Sequence, residues 1–200
     1  IQGEPASSMH SHQSLLDAKT GKNLFATKSG KNSKLFLSYI AGLQKYLPAV
    51  MPLIAPNVNS YRRLMRDSDA PINTHWGFDN RTVGLRIPHS DAQARRVENR
   101  LAGADANPYL ALAASLACGY LGIAEKLEPR PPVEGSAYRL AHTLPRTLYD
   151  ALNRFNASRP LKQVLGEKFV EAVTLVKESE LDAYQQVISS WEREHLLLNV

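Results

Sequence analysis

Apolar positions recur along the chain with two different periods. Leu35, Phe36, Tyr39, Ile40, Leu43, Tyr46 and Leu47 follow the helical period and predict a helix with one buried face. Asn32 or Ser33 caps it, and Pro48, Pro52 and Pro56 stop it. The run Pro108–Ala124 is apolar on every side, opened by Asn107 and Pro108 and interrupted by Gly119 and Gly122, which predicts a buried helix rather than a membrane span. Thr147 with Asp150, and Ser158 with Pro160, open two further helices. The spacing of Phe169, Val173, Val176, Leu181, Tyr184, Val187, Ile188 and Trp191 predicts one long helix over 167–194, ending in the apolar tail HLLLNV, a candidate subunit contact.

Elsewhere the pattern alternates. In SMHSHQS, Ser8, His10, His12 and Ser14 share one strand face, opposite Met9, Ser11 and Gln13. In RTVGLRIP, Val83, Leu85 and Ile87 form a core side, while Thr82, Gly84 and Arg86 form a working side on which Gly84 leaves room. After the turn PHSDAQ, ARRVENRL puts Arg96, Glu98 and Arg100 on one face and Val97 on the other, which predicts an antiparallel hairpin. The polar stretch between Asn57 and Pro71 reads as a short helix and a loop, a candidate lid, and EPRPPVEGSAY as a proline-rich loop. The fold class is therefore α+β: antiparallel strands with flanking helices and a helical C-terminal third.

Composition narrows the chemistry. The chain has 200 residues, 44% of them hydrophobic, enough for a core. Its net charge of +5 is spread along the sequence among 19 acids, which reads as a solvated surface rather than a nucleic-acid footprint. The distribution of cation type is more telling, because no lysine occurs between Lys45 and Lys126 and arginine is the only cation there. Arginine grips carboxylates and phosphates with two bonds at a time, so the middle of the chain reads as a site for anions.

Arg81, Arg86, Arg96 and Arg100 would repel one another unless anions or acids lie among them. Phosphoryl transfer fits such a cluster, and pairing with Asp67, Asp79, Asp91 and Glu98 is the competing account. His10 and Glu98 form a partial shell for a divalent ion, and a hydrogen-bonded structural histidine is the alternative for His10. There is no Walker loop or dinucleotide fingerprint, and the serines lack a nucleophile elbow. Cys118 stands alone inside an apolar run and reads as a small buried hydrophobe. With no leader visible and no internal disulfide possible, the expected compartment is the cytoplasm, with no membrane partner.

Six ordered motifs, SSMHSHQSL, APNVNSYRRL, DAPIN, WGFDNRTVGLRIP, RRVENRL and ADANPYLALAASL, resemble the C-terminal part of the catalytic domain of the glutamine synthetase family. The resemblance implies an ATP-dependent ligase that phosphorylates the γ-carboxylate of glutamate and lets an amine displace the phosphate, with magnesium or manganese as cofactor. Carried onto this chain, it makes His10 and Glu98 metal ligands and places His12, Ser14, Arg81 and Arg86 at the nucleotide. Arg63 and Arg100 become glutamate binders, and Arg81 also steadies the transferring phosphoryl group.

Ammonia-using members carry a glutamate before Ala-Pro in the loop, where this chain has Asp69, one methylene shorter. The local wording is similar to the bacterial γ-glutamylpolyamine branch. The acceptor implied is putrescine or a related amine; ammonia is the alternative, and a non-catalytic structural or regulatory relative a further one. The family's N-terminal β-grasp domain and first catalytic strands are expected to precede Ile1, so residues 1–200 are read as a partial catalytic domain, inactive alone, from a protein that forms homo-oligomeric rings. Glu4 lies near the start, but no family motif supports it as a replacement ligand.

Overall fold

The computed structural model describes residues 7–66 and 68–199; Glu4 and Asp67 lie outside the described residues. Helix α1, Lys34–Tyr46, begins where the Ser33 side chain accepts a hydrogen bond from the Phe36 amide, so Ser33 is the cap. Asn32 instead accepts from the Arg95 guanidinium. The prolines do not simply end the helix. Pro48 sits in the 3₁₀ turn Leu47–Ala49 and Pro52 in the first turn of α2, Met51–Ile54, where a missing amide donor costs nothing. A further short helix, α3, covers Ser60–Arg63.

Helix α4, Pro108–Ala124, has the predicted bounds, with the Asn107 side chain accepting from the Tyr109 and Leu110 amides. Its glycines let it lie against α1 with backbones touching. A Cβ on Gly42 would stand 2.2 Å from the Cys118 carbonyl oxygen, and one on Gly122 only 2.1 Å from that of Ser38. Around this crossing Phe25, Phe36, Tyr39, Ile40 and Leu43 are buried, and Cys118 is fully enclosed as a small apolar group. Among the described residues no helix is long and apolar enough to cross a membrane.

The C-terminal third is helical. Thr147 caps α5, Leu148–Ala157, by accepting from the Asp150 amide. Ser158 occupies the cap position of α6, Arg159–Leu165, without a side-chain hydrogen bond. The long helix predicted over 167–194 is two helices, α7 (Glu167–Gln185) and α8 (Ser190–His195). A reciprocal capping box of Ser189 and Glu192 starts the second one and overrides the continuing apolar spacing. Val187, Ile188, Trp191, Leu197 and Leu198 are left exposed.

The sheet has four short strands, β1 (Ser11–Gln13), β2 (Trp76–Phe78), β3 (Leu85–Ile87) and β4 (Val97–Asn99), in the order β1-β4-β3-β2. The expected hairpin of β3 and β4 is present, and β1 pairs antiparallel with β4. β2, which the sequence pattern did not reveal, pairs parallel with β3, so the sheet is mixed rather than antiparallel throughout. The strand predicted over 8–14 is shorter, with Ser8 bridging separately to Gly103.

Two features fix the sheet in place. Behind it, the buried Ser115 hydroxyl of α4 donates to Gln13 Oε1 at 2.7 Å and accepts from Asn99 Nδ2 at 3.1 Å, joining β1, β4 and α4. Beside β2, residues 130–144 form a belt. Val133 N donates to the Trp76 carbonyl at 2.8 Å, Ala137 N to Thr82 Oγ1 at 2.8 Å, and Thr143 N to the Ile72 carbonyl at 3.1 Å. Asn80 Nδ2 holds the carbonyls of Val133 and Gly135 at 3.2 and 2.7 Å.

Candidate active site

Register builds the site. His12, Glu98, Arg86 and Gly77 are successive partners across the sheet, so the first three project their side chains from one row on one face. Residues two positions along from this row share its face, which brings His10 from β1's approach and Arg96 and Arg100 from β4's flanks. The face inferred from alternation is the face observed.

Glu98 is the hub, its side chain only 4% exposed. Arg86 Nη1 donates to Oε2 at 2.7 Å, Arg100 Nη1 to Oε1 at 3.0 Å, and His10 Nδ1 stands 3.1 Å from Oε1. Burial alone would raise the carboxyl's pKa, but the Arg86 hydrogen bond and the charges of Arg100, Arg86 and His10 bring it below the ordinary value. Arg86 is held more firmly protonated by the same bond, and Asp79 Oδ1 takes its other arm at 2.9 Å. His10 is shifted the other way. Partial burial and then the charge of Arg100 lower its pKa, outweighing Glu98, with Arg63 and His12 adding to the effect. The shift favours the neutral imidazole, the form that binds metal. Its Nε2 meets Ser8 Oγ at 3.0 Å.

Arg96 Nε donates to His12 Nδ1 at 3.2 Å, which places the His12 proton on Nε2. Arg63, the last residue of α3, is buried, donates to the Leu101 carbonyl and is made a weaker base by desolvation, with Asp105 opposing. Thus His10, His12, Arg63, Arg86, Arg96, Glu98 and Arg100 converge. Ser14 lies exposed just past the end of β1. Arg81 lies off the row, exposed on the turn before β3, on the wall of an open groove of about 720 Å³ between Phe78–Thr82 and Pro132–Ser136. Asp69 is exposed in the loop after α3 with a left-handed backbone, φ 59°.

Pairing with acids accounts for part of the arginine cluster only. Asp79 and Glu98 neutralise Arg86 and Arg100, but Asp91 instead accepts from the Ala94 amide. Among the described residues the buried Nε atoms of Arg63, Arg86 and Arg100 have no hydrogen-bond partner. Those atoms are shut off from solvent, but Arg63, Arg86, Arg96 and Arg100 outnumber the two acids paired with them, an excess of guanidinium charge that suits an anion. A second correction concerns Gly84. A Cβ there would meet the Asn73 carbonyl at 2.4 Å and Leu101 Cδ1 at 2.8 Å, so the glycine admits backbone, not ligand.

The implied divalent ion fits this chain in part. Imidazole nitrogen and carboxylate oxygen are suitable donors, and His10 and Glu98 are in contact. Among the described residues no group of three His, Cys, Asp or Glu could complete a shell. This chain would hold one side of such an ion. Sequence reading missed the Gln13–Ser115–Asn99 pin; the one signal for it was a lone polar residue, Ser115, inside an apolar helix.

Comparison with known proteins identifies the family. The chain is 39% identical to gamma-glutamylputrescine synthetase of Escherichia coli K12, over 96% of this chain and 41% of that protein. It is 39% identical to type-1 glutamine synthetase 2 of Dictyostelium discoideum, over 96% of this chain and 38% of that protein. It is also 38% identical to glutamate–isopropylamine ligase of a Pseudomonas species, over 93% of this chain and 42% of that protein. The chain thus spans less than half the length of these relatives. Residues 1–196 match the family described as glutamine synthetase, catalytic domain, and the chain belongs to that family.

Proposed function

We propose that this chain is the nucleotide- and glutamate-handling part of an ATP-dependent ligase that joins the γ-carboxylate of glutamate to an amine, putrescine or a close analogue in preference to ammonia. The observation that carries the reading is the Glu98 hub, a buried carboxylate shared by the His10 imidazole and two guanidinium groups, within a cluster that holds more arginines than paired acids. In this reading His10 and Glu98 hold a divalent ion, Mg²⁺ or Mn²⁺, which would neutralise the phosphates of ATP. His12, Ser14 and Arg86 line the nucleotide. Arg63 and Arg100 bind glutamate, and Arg81, free of the hub, reaches the phosphoryl group in transit. Positioning and charge neutralisation are most of what phosphoryl transfer needs.

Asp69 supports the choice of a larger amine. A carboxylate pairs with a cationic amine and can take its proton, and one methylene less leaves space for a longer acceptor. Relatives named for putrescine and for isopropylamine match as well as one named glutamine synthetase. The test is ADP release by the full-length protein with ATP, glutamate and magnesium, comparing putrescine, other amines and ammonium. Putrescine ahead of ammonium supports the reading. Ammonium ahead of every amine replaces it with glutamine synthesis, and no turnover with any acceptor overturns it.

A further inference from the structure

The stretch after α3, a candidate lid by its polar composition, is fastened at both ends to the belt. Arg66 Nη1 donates to the Tyr138 carbonyl at 2.6 Å and Nη2 to the Leu140 carbonyl at 3.4 Å. Tyr138 Oη donates to the Ala70 carbonyl at 3.2 Å, and His142 Nε2–H to the Leu64 carbonyl at 3.1 Å. Leu64 and Ala70, the two ends of the loop, are buried, while Asp69 between them is exposed. The loop also closes on itself, because Ser68 Oγ reaches the carbonyls of Arg63 and Met65 at 2.9 and 2.6 Å. These bonds leave Asp69 at the tip of a turn with positive φ, its direction set by anchors on either side.

The belt is itself tied to the phosphoryl side of the site. Thr82 Oγ1 accepts the Ala137 amide, and Asn80 holds the belt carbonyls beside Arg81. One segment, remote in sequence from both, therefore touches the turn carrying Arg81 and the loop carrying Asp69.

We propose that Arg66, Tyr138 and His142 are positioning residues that clasp the Asp69 loop to the belt and so set which amine the site accepts; this rests on the reading of Asp69 as the acceptor-side carboxylate. Tyr138 and His142 fix the loop's two ends, and Arg66 fixes its middle. None of them touches the reacting atoms in this account. Their effect is on where the Asp69 carboxylate stands when the amine arrives.

The test compares Tyr138→Phe, Arg66→Met and Arg66→Lys with the wild type in the full-length protein. Two readouts are taken: KM for putrescine, ammonium, ATP and glutamate, and hydrogen–deuterium exchange of peptides covering 64–70. Each lost anchor should raise KM for the preferred acceptor about three- to tenfold, the equivalent of one hydrogen bond. KM for ATP and glutamate should stay within about twofold, since a placement defect on the acceptor side leaves their binding intact. Exchange at 64–70 should quicken in Arg66→Met and be partly restored in Arg66→Lys. Unchanged acceptor KM in an active protein overturns the proposal, and so does a uniform loss across all substrates. If the wild type turns over no acceptor, the proposed function falls by itself, and the clasp is then judged by exchange alone: unaltered protection at 64–70 in Arg66→Met and Tyr138→Phe sinks it.

Discussion

Replacing Glu98 with glutamine tests whether one buried carboxylate holds the site together. The substitution keeps the shape and one acceptor oxygen but turns the other oxygen into a donor. Because Oε2 faces Arg86 and Oε1 faces Arg100 and His10, one guanidinium must then confront an N–H. Arg86, with 20% of its side chain exposed, can recover water, whereas Arg100, at 9%, cannot. Losing one charge-assisted bond costs about 1.5–3 kcal/mol, and breaking a buried pair costs about 3–5 kcal/mol. We expect a loss of about 3 kcal/mol, inside that span because Arg86 relaxes toward solvent. Urea unfolding followed by tryptophan fluorescence reads it, since the buried Trp76 lies in the same sheet.

The pH dependence has a fixed sign. The folded pKa of Glu98 lies below its unfolded value, so its stabilisation is complete above the unfolded value and is lost as pH falls through the folded one. The gap between wild type and variant should be full at neutral pH and shrink below about pH 4. A double-mutant cycle with Arg86→Met should give a coupling of about 1.5–2 kcal/mol. A coupling under about 0.5 kcal/mol, or a gap that persists in acid, would refute the hub.

Three further outcomes are expected. Asp69→Glu should raise the ratio of kcat/KM for ammonium over putrescine by about tenfold, as one methylene changes the room left for the acceptor; an unchanged ratio in a competition assay would detach Asp69 from selectivity. Gly42→Ala should destabilise by about 1–3 kcal/mol or more, because its Cβ meets backbone on α4 that cannot step aside; thermal unfolding measures it, and a neutral effect would mean the helices do not cross as described. Cys118 is fully buried and its thiol is pushed up in pKa by desolvation, so labelling by a thiol reagent should proceed only at the rate of unfolding, and prompt labelling of the native protein would contradict its enclosure.

What the sequence made legible follows from which forces are local. Alternation placed His10, His12, Arg86, Glu98 and Arg100 on one face because strand parity is a local property, and register then aligned them. Caps at Ser33, Asn107 and Thr147 were readable because a side chain bonds an amide two or three residues on. The break between α7 and α8 was also written locally, in Ser189 and Glu192, but apolar spacing hid it. β2 escaped because WGF carries no alternation, and its partnership with β3 and the belt is decided by long-range pairing. The clasp on Arg66 escaped for the same reason, since its acceptors are backbone carbonyls more than 70 residues away.

The pin formed by Ser115 has a consequence for where this fold can change. Its hydroxyl bonds both β1 and β4 from behind, so this backbone-paired couple of strands is pinned in its place on α4. Where α4 rests is fixed in turn by glycine backbones meeting α1. The face that carries His10, His12, Arg86 and Glu98 therefore tolerates little drift, and its constraints extend to positions behind the sheet. The loop of Asp69 hangs from the belt, which also holds Trp76 and the Arg81 turn, so it meets the sheet at the edge opposite the pin. A change at Asp69 itself leaves the four-stranded face and its backing helix in place, whereas a change in the belt reaches the Asp69 loop and the Arg81 turn together.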